Sequence, residues 1–171
     1  MAAGNVCSLE LHGCPCGYFG DRVRACRCTS QQIRQYQAKI SGPLLDRIDL
    51  HIEVPSVRYR GLSAKEAGES SEKIKERVNR ARTRQMERFG GDGIICNARM
   101  TEKQIGSYCK IDEESHMLLE MAIDKLGLSA RAMNRILKVS RTIADLENRE
   151  SIESAHVAEA IQYRSLDRSL I

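Results

Sequence analysis

The chain has 171 residues, enough for one ordinary domain or two small ones, and its 42% of apolar residues can form a buried core. It has no stretch near the roughly 20 apolar residues of a membrane span, and residues 1–12 lack the basic start and apolar centre of a signal peptide, so neither membrane insertion nor export is predicted. The net charge of +4 is modest, and the abundance of Ala, Leu, Ile, Arg and Glu beside 4% of aromatic residues favours helices.

Two close cysteine pairs stand in a Gly-rich loop over residues 13–29. Nine residues separate the pair Cys14 and Cys16 from the pair Cys26 and Cys28. Four thiolates can complete a tetrahedral zinc site, which would tie down a loop too polar to form its own core. The alternative is four free thiols on a surface loop, and it stays open because the spacing is tighter than that of usual zinc ligands. Without a secretory signal, the cysteines indicate a reducing cytosol and hence a cytoplasmic protein.

A turn and a strand follow the first predicted helix, which Ser30 caps and which reaches about residue 40. Gly42 and Pro43 break that helix. Apolar and polar residues then alternate over 50–54, up to Pro55, which is the period of a half-buried strand.

Arg47 lies on the turn between that helix and that strand. Asp46 and Asp49 flank it, so the arginine can be braced at its base and still point outward. A permanently charged, forked cation held at an edge suits a phosphate on another molecule. The alternative is a surface arginine that pairs with its own aspartate neighbours.

A long charged helix is predicted over residues 63–89, with a serine cap at its start. Its apolar stripe is thin and consists of Ala67, Ile74, Val78, Ala81 and Met86. From Lys73 to Arg88 there are seven basic residues and two acidic ones, so the helix could contact nucleic-acid phosphates. The interpretation favoured for this segment alone is a solvated face with a pair between Glu76 and Arg80.

Four further helices follow a Gly-rich joint at 90–93 and a short extended segment at 94–100. Their predicted caps are Thr101, Asp112, Ser129 and Ser154, and together they form a small antiparallel bundle. The third has a core-facing stripe of Met133, Ile136, Leu137, Ser140, Ile143 and Ala144. Cys109 is predicted to lie in the core, Cys7 and Cys96 stay unassigned, and the four histidines are predicted to be structural.

Arg131 lies in the first turn of that third helix, two residues after Ser129. The helix dipole disfavours a cation at this end, so something else must favour the arginine. A phosphate held jointly by Arg131 and the helix amides would do so. Arg135 lies one turn further on the same face and is predicted to be a solvated charge.

Three motifs, in this order, resemble the ComM/YifB type of magnesium-chelatase-like AAA+ ATPases. They are Cys-Pro-Cys-Gly at 14–17, Ser-Gly-Pro-Leu-Leu-Asp-Arg-Ile-Asp-Leu at 41–50 and Gly-Leu-Ser-Ala-Arg at 127–131. The resemblance covers residues 14–168. It implies that Arg47 is an arginine finger acting in trans, on the γ-phosphate of ATP bound by the next subunit. It also implies that Arg131 is the sensor-2 arginine that contacts the phosphates of ATP.

The same resemblance implies the cofactors and partners of the complete protein. ATP with magnesium is the expected cofactor, and the expected assembly is a ring of identical subunits, six in number. DNA is the expected partner, because ATP turnover in such rings drives DNA remodelling, including helicase-like branch migration during uptake and recombination of DNA.

The family's nucleotide-binding motifs are absent from this sequence. No Gly-Lys pair of the Walker A motif occurs, and no run of four apolar residues precedes an Asp-Glu pair as in the Walker B motif. His12 and Gly13 stand where the resemblance places a sensor-1 asparagine. We therefore expect the C-terminal portion of a truncated or split ATPase, inactive on its own.

The predicted fold is mainly α, a helical lid bundle preceded by a partial α/β P-loop core with one recognisable strand and a Cys-rich loop. Residues 1–62 are the predicted core remnant with the arginine-finger segment, 63–100 the connecting helix and joint, and 101–171 the helical lid. Two functions remain open. The first is the ATPase portion described above, and the second is a non-enzymatic, zinc-stapled module that binds nucleic acid or protein. A Walker A motif encoded just upstream in the genome would favour the first.

Overall fold

The computed structural model describes residues 8, 10–21, 23–54, 68–91 and 93–164. Within these residues the chain forms seven α-helices and one short 3₁₀-helix. They are α1 (Ser30–Gln37), α2 (Gly42–Leu45), α3 (Ser71–Phe89), the 3₁₀-helix (Asn97–Arg99), α4 (Glu102–Tyr108), α5 (Glu113–Leu126), α6 (Ala130–Leu146) and α7 (Ser154–Gln162). The predicted, mainly helical fold is confirmed. In the described part of the chain, no helix has the length and apolarity needed to cross a membrane.

Polar side chains begin the helices of the bundle. Thr101, Asp112 and Ser129 each accept a hydrogen bond from an amide of the first turn, at 3.4, 2.9 and 3.2 Å. Each bond satisfies a donor that the helix itself leaves without a partner, so these three predicted caps are confirmed. Gly127 ends α5 with a φ of 60°, a left-handed conformation that glycine adopts without the penalty of a Cβ atom.

Three predicted helix starts were wrong. The N-cap of α1 is Thr29 instead of Ser30, and the Thr29 hydroxyl accepts a hydrogen bond from the Gln32 N–H over 3.2 Å. The helix α3 begins at Ser71 instead of residue 63, because residues 68–70 are not helical and the Ser70 hydroxyl caps the Lys73 amide; residues 63–67 lie outside the described part. The N-cap of α7 is Glu153 instead of Ser154, and its N–H donates to Nδ1 of His156 over 2.9 Å.

The helix α6 lies at the centre of the bundle, in contact with α3, α4, α7 and the 3₁₀-helix. Its buried residues include Ile136, Ser140, Ile143 and Ala144, so the predicted stripe is confirmed. Cys109 is buried against this core, also as predicted. Burial of this apolar stripe against three helices is the main source of stability that the sequence offers here.

The helix α3 packs on the bundle through its C-terminal half. Its buried residues are Ala81, Gln85 and Phe89, whereas Ile74, Val78 and Met86 of the predicted stripe are exposed. The buried residues follow an i, i+4, i+8 row that includes a glutamine, which a search for apolar residues alone does not find. The Gln85 side chain accepts a hydrogen bond from the Asn97 amide at 3.4 Å.

The strand predicted over residues 50–54 was wrong. These residues have no regular structure, and within the described part of the chain no segment forms a ladder with them. Ile52 and Val54 are 65% and 83% exposed. The His51 N–H instead donates to the Tyr163 carbonyl oxygen over 2.8 Å, which joins the segment to the end of α7. An alternating pattern becomes a strand only when a neighbour supplies the ladder.

A buried ion-pair network joins α3, the 3₁₀-helix and α6. The Asp145 carboxylate accepts hydrogen bonds from Arg88 at 2.5 and 2.7 Å and from Asn97 at 2.8 Å, and it pairs with Arg141 at 3.2 Å. Burial alone would raise the pKa of Asp145, but the hydrogen bonds and charges of these partners outweigh it and hold that pKa below its ordinary value. The 3₁₀-helix stands where an extended segment was predicted, and Asn97 connects it to this network.

Candidate functional site

The Arg47 turn, residues 45–49, follows directly on α2. The one-turn helix α2 has Pro43 near its start, and the Arg47 N–H donates to the Leu44 carbonyl oxygen over 3.0 Å. The Arg47 side chain is exposed. Its guanidinium makes no hydrogen bond or ion pair with any described residue, so the alternative pairing with its own aspartate neighbours is absent there.

The two aspartates that flank Arg47 bind other elements. Asp46 accepts a hydrogen bond from the Ser129 hydroxyl at 3.0 Å and pairs with Arg164 at 3.4 Å. Asp49 pairs with Arg135. The expected bracing of Arg47 by these carboxylates was therefore wrong in its detail: they fix the turn to α6 and to the residues after α7, and they leave the arginine unpaired among the described residues.

Two backbone carbonyl oxygens of the same turn also accept hydrogen bonds from arginine side chains. The Arg135 guanidinium donates to the Arg47 carbonyl oxygen over 2.9 Å, and the Arg164 guanidinium donates to the Ile48 carbonyl oxygen. Arg135 was predicted to be a solvated charge, but only 22% of its side chain is exposed because it is held between Asp49 and this carbonyl. Arg164 is 1% exposed. The backbone of the turn is thus held at the carbonyl oxygens of Arg47 and Ile48.

Arg131 lies in the first turn of α6, just after the Ser129 cap. Its side chain is exposed and, within the described ranges, has neither a hydrogen bond nor an ion pair. It lines a cavity of about 610 Å³ whose wall also includes Asp49, Met100, Ile105, Lys138 and Thr142. Three cationic side chains (Arg131, Arg135 and Lys138) and three acidic ones (Asp49, Glu102 and Glu159) line it together with apolar residues.

The four predicted metal ligands lie together. The Sγ atoms of Cys14, Cys16, Cys26 and Cys28 are all within 4.8 Å of one another. The separations are 3.3 Å for Cys14 to Cys16 and 3.6 Å for each of these to Cys26. A tetrahedral zinc with bonds of about 2.3 Å needs sulfurs about 3.8 Å apart, so this donor set fits a zinc ion.

Backbone amides prepare one of these thiols for ionisation. Hydrogen bonds from the amides of Tyr18 and Arg27 lower the pKa of Cys16 to about 6. Burial and hydrogen bonds with neighbouring thiols raise the pKa of Cys28 to about 12. A cluster of this kind ionises in full when a cation binds, because the cation offsets the repulsion among four thiolates.

Most of the charge on α3 is used inside the protein. Arg77 pairs with Glu69 and Arg80 with Glu76, each at 2.9 Å. Arg84 donates to a backbone carbonyl over 2.7 Å, and Arg88 belongs to the Asp145 network. Four of the seven basic residues from Lys73 to Arg88 therefore have partners within the chain, and one of these pairs, Glu76 with Arg80, is the pair that the solvated-face interpretation predicts.

Sequence reasoning missed the two arginines that hold the Arg47 turn. Arg135 lies 86 residues from Asp49, and Arg164 lies 116 residues from Ile48. For Arg135 a signal existed, since it shares a helix face with Arg131. For Arg164 no local signal existed, because the residue becomes buried only through its long-range contacts.

Comparisons with known proteins identify the family. Residues 68–164 match the model of "Magnesium chelatase, subunit ChlI C-terminal", and residues 5–62 match that of "Magnesium chelatase, subunit ChlI". The chain is 46% identical over 145 residues to Competence protein ComM of Haemophilus influenzae and 43% identical over 147 residues to the Escherichia coli protein YifB. It is 32% identical over 156 residues to the Mycobacterium tuberculosis protein Rv2897c.

These matches cover most of this chain and a smaller part of the relatives. They include 84%, 85% and 91% of the chain, and 28%, 28% and 30% of the three relatives. The chain therefore spans less than a third of the length of each of these relatives. On this evidence the chain belongs to the magnesium-chelatase-like family of the ComM/YifB type.

Proposed function

We propose that this chain supplies two arginines to ATP hydrolysis in a magnesium-chelatase-like AAA+ ATPase. Arg47 is the arginine finger, which acts in trans on ATP bound by the next subunit of a ring. Arg131 is the sensor-2 arginine, which contacts the phosphates of ATP in its own subunit. The observation that carries the proposal is the exposed Arg47 guanidinium, which has no partner among the described residues and lies on a turn whose backbone is held by Arg135 and Arg164.

This arrangement matches what the chemistry of phosphoryl transfer requires. Negative charge on the transferred phosphoryl group and its leaving oxygen must be neutralised at the moment of transfer. A guanidinium offers a planar pair of donors and stays ionised at any working pH. The contacts that hold the Arg47 turn matter as well, because a charge that is already in position needs no reorganisation when the reaction occurs.

The helix α6 carries Arg131 and also contacts the Arg47 turn. Arg131 and Arg135 lie one turn apart on α6, and Arg135 holds the Arg47 carbonyl oxygen and the Asp49 carboxylate. A shift of α6 caused by nucleotide at Arg131 would therefore displace the Arg47 turn as well. This coupling would let one subunit report its nucleotide state to the active site of its neighbour.

The remaining partners and cofactors complete the proposal. ATP with magnesium is bound by P-loop elements that this sequence does not contain, and the ring is hexameric. The four thiols hold one structural zinc ion. The ring remodels DNA in the cytoplasm, and the Haemophilus influenzae relative supports this, since it is a competence protein.

The thiol cluster also favours a second candidate function. A zinc-stapled loop can serve a non-enzymatic module that binds nucleic acid or protein, and the sulfur separations fit such a site. In that case Arg47 and Arg131 would have no part in catalysis. The two candidates differ in whether ATP turnover depends on these arginines.

A hybrid ATPase tests the proposal. In the Haemophilus influenzae relative, the segment that matches this chain is replaced by the chain itself. Arg47→Ala should lower kcat by a factor on the order of a thousand and leave ATP affinity nearly unchanged. Arg131→Ala should lower kcat and also weaken ATP affinity. Arg34→Ala, at another exposed arginine, is the matched control and should change neither. Turnover that is insensitive to Arg47→Ala would favour the binding module.

A further inference from the structure

The loop that carries the thiols is here called the knuckle and is defined as residues 14–21 and 23–28. The clustered sulfurs close it at its base. Inside it, the Asp21 carboxylate accepts hydrogen bonds from the amides of Val23 and Arg24 at 2.6 and 2.8 Å. The Gln37 side chain of α1 ties it down by donating to the Gly13 carbonyl oxygen over 3.1 Å. Side chains on the knuckle therefore project from a defined backbone.

An aromatic ring stands exposed on this knuckle. Phe19 is 52% exposed, and its ring lies against the backbone of Gly13, where an added Cβ atom would come within 3.0 Å of Cδ1. Val23, in the same loop, is 67% exposed. The chain has two phenylalanines, and the other, Phe89, is buried in the core. A ring that is backed by the main chain on one side offers a platform for stacking on the other.

Two exposed arginines lie in the same loop as Phe19. The exposed Arg24 side chain donates to the Tyr18 hydroxyl over 2.7 Å, and its guanidinium lies 5.3 Å from the centre of the Tyr18 ring. Arg27 is exposed and has no side-chain partner among the described residues. From residue 14 to 28 the sequence contains three arginines against one acidic residue, Asp21, a formal charge of +2.

We propose that the knuckle binds single-stranded DNA, with a base stacked on Phe19 and the phosphates beside it held by Arg24 and Arg27. Exposed aromatic rings next to arginines are the recognised means of binding unpaired bases and their backbone without sequence preference. A duplex hides the faces of its bases, so a stacking platform selects the single strand. The choice of DNA rests on the proposed function, because DNA remodelling exposes unpaired strands.

The charge distribution favours this surface over α3. Four of the basic residues of α3 are paired internally, and the helix has no aromatic residue before its buried last position, Phe89. On the knuckle the single acidic side chain, Asp21, is bound to two amides of the loop itself. The knuckle thus combines cations and a stacking surface, whereas α3 offers cations alone.

Fluorescence anisotropy tests this directly with the zinc-loaded chain and a labelled 20-residue oligo-dT. Phe19→Ala should weaken binding roughly 5- to 150-fold, the range that loss of one stacked base produces. Met117→Ala is the matched control, since Met117 is also 52% exposed but lies on α5. Arg27→Ala should weaken binding and flatten its salt dependence, whereas Arg99→Ala should not.

A second variant reports stacking without relying on affinity. The chain contains no tryptophan, so Phe19→Trp introduces a single fluorophore that stacked bases should quench while affinity is kept. No quenching, equal binding of duplex, tenfold preference for oligo-U, or native affinity of Phe19→Ala would each overturn the proposal.

The outcome is separable from that of the ATPase proposal. In the hybrid, turnover measured without DNA should depend on Arg47 and not on Phe19. DNA binding by the isolated chain should depend on Phe19 and be unchanged by Arg47→Ala. Failure of one dependence with the other intact identifies which of the two proposals is wrong.

Discussion

The guanidinium of Arg135 donates a hydrogen bond to the carbonyl oxygen of Arg47 over 2.9 Å. The same side chain pairs with Asp49. One residue of the lid helix α6 therefore holds the turn on which the exposed Arg47 side chain is mounted. The geometry makes the position of Arg47 depend on the position of α6.

Removal of this contact should impair the hybrid ATPase without unfolding it. Arg135→Ala should lower kcat at nearly constant ATP affinity, because the Arg47 turn loses one of its anchors. The pair with Asp49 is partly exposed, so the free energy of unfolding should change by less than about 1 kcal/mol. Steady-state kinetics and thermal unfolding measure the two effects.

A double-variant cycle isolates the route of this effect. If Arg135 acts through Arg47, then Arg135→Ala should cost little further turnover in a chain that already carries Arg47→Ala. An undiminished loss in that background would show that Arg135 acts on the reaction by another route.

The cluster of four thiols predicts the zinc content of the purified protein. Protein purified without chelator should hold about one zinc ion per chain. Cys14→Ser or Cys26→Ser should remove it, because three thiolates leave the tetrahedron open. Cys96→Ser is the control, since Cys96 lies outside the thiol cluster. Metal analysis that finds a zinc-free protein with an ordered knuckle would contradict the assignment.

The buried carboxylate of Asp145 should matter for stability. Asp145→Asn leaves the guanidinium groups of Arg88 and Arg141 without their counter-charge, and it should lower the free energy of unfolding by about 3–5 kcal/mol. Asp124→Asn, on the exposed face of α5, should change it by less than about 0.5 kcal/mol. Urea denaturation at neutral pH measures both.

The pH dependence of unfolding should also report the contribution of the Asp145 carboxylate to stability. The pKa of Asp145 is lowered in the folded state, so its contribution is complete above the ordinary value of 3.8 and disappears as the pH falls through the folded-state pKa. The difference in stability between the native chain and Asp145→Asn should therefore shrink in acid. A difference that stays constant down to about pH 2 would contradict the assigned role.

The sequence was most informative where local signals decide structure. The caps Thr101, Asp112 and Ser129 and the stripe of α6 follow from short-range patterns, and they are confirmed. The strand over 50–54 failed because its pattern needs a partner strand. The four cysteines were found from spacing, and the structure brings their sulfurs together.

Local sequence patterns could not predict the contacts that hold the Arg47 turn. The partners of Asp46 and Asp49 lie more than 80 residues away in the chain, so a sequence pattern cannot reveal them. The same holds for Asp145, whose partner Arg88 is 57 residues distant. Their burial and pairing result from packing of α6 against other elements.

The isolated chain should not hydrolyse ATP. Its sequence contains no Walker A motif to hold the phosphates and no Walker B motif to hold magnesium. Pure protein incubated with ATP and magnesium should release no phosphate above the rate without protein. Magnesium-dependent turnover that a substitution within this chain abolishes would overturn this expectation.

Mixed rings of the hybrid ATPase test the central claim, that Arg47 acts in trans, most directly. One subunit carries Arg47→Ala, and the other carries a substitution of its P-loop lysine, so each is inactive alone for a different reason. In a mixed ring some interfaces join an intact P-loop to an intact Arg47, and part of the ATP turnover should return. No recovery in rings shown to contain both subunits would mean that Arg47 works within its own subunit or serves the fold alone.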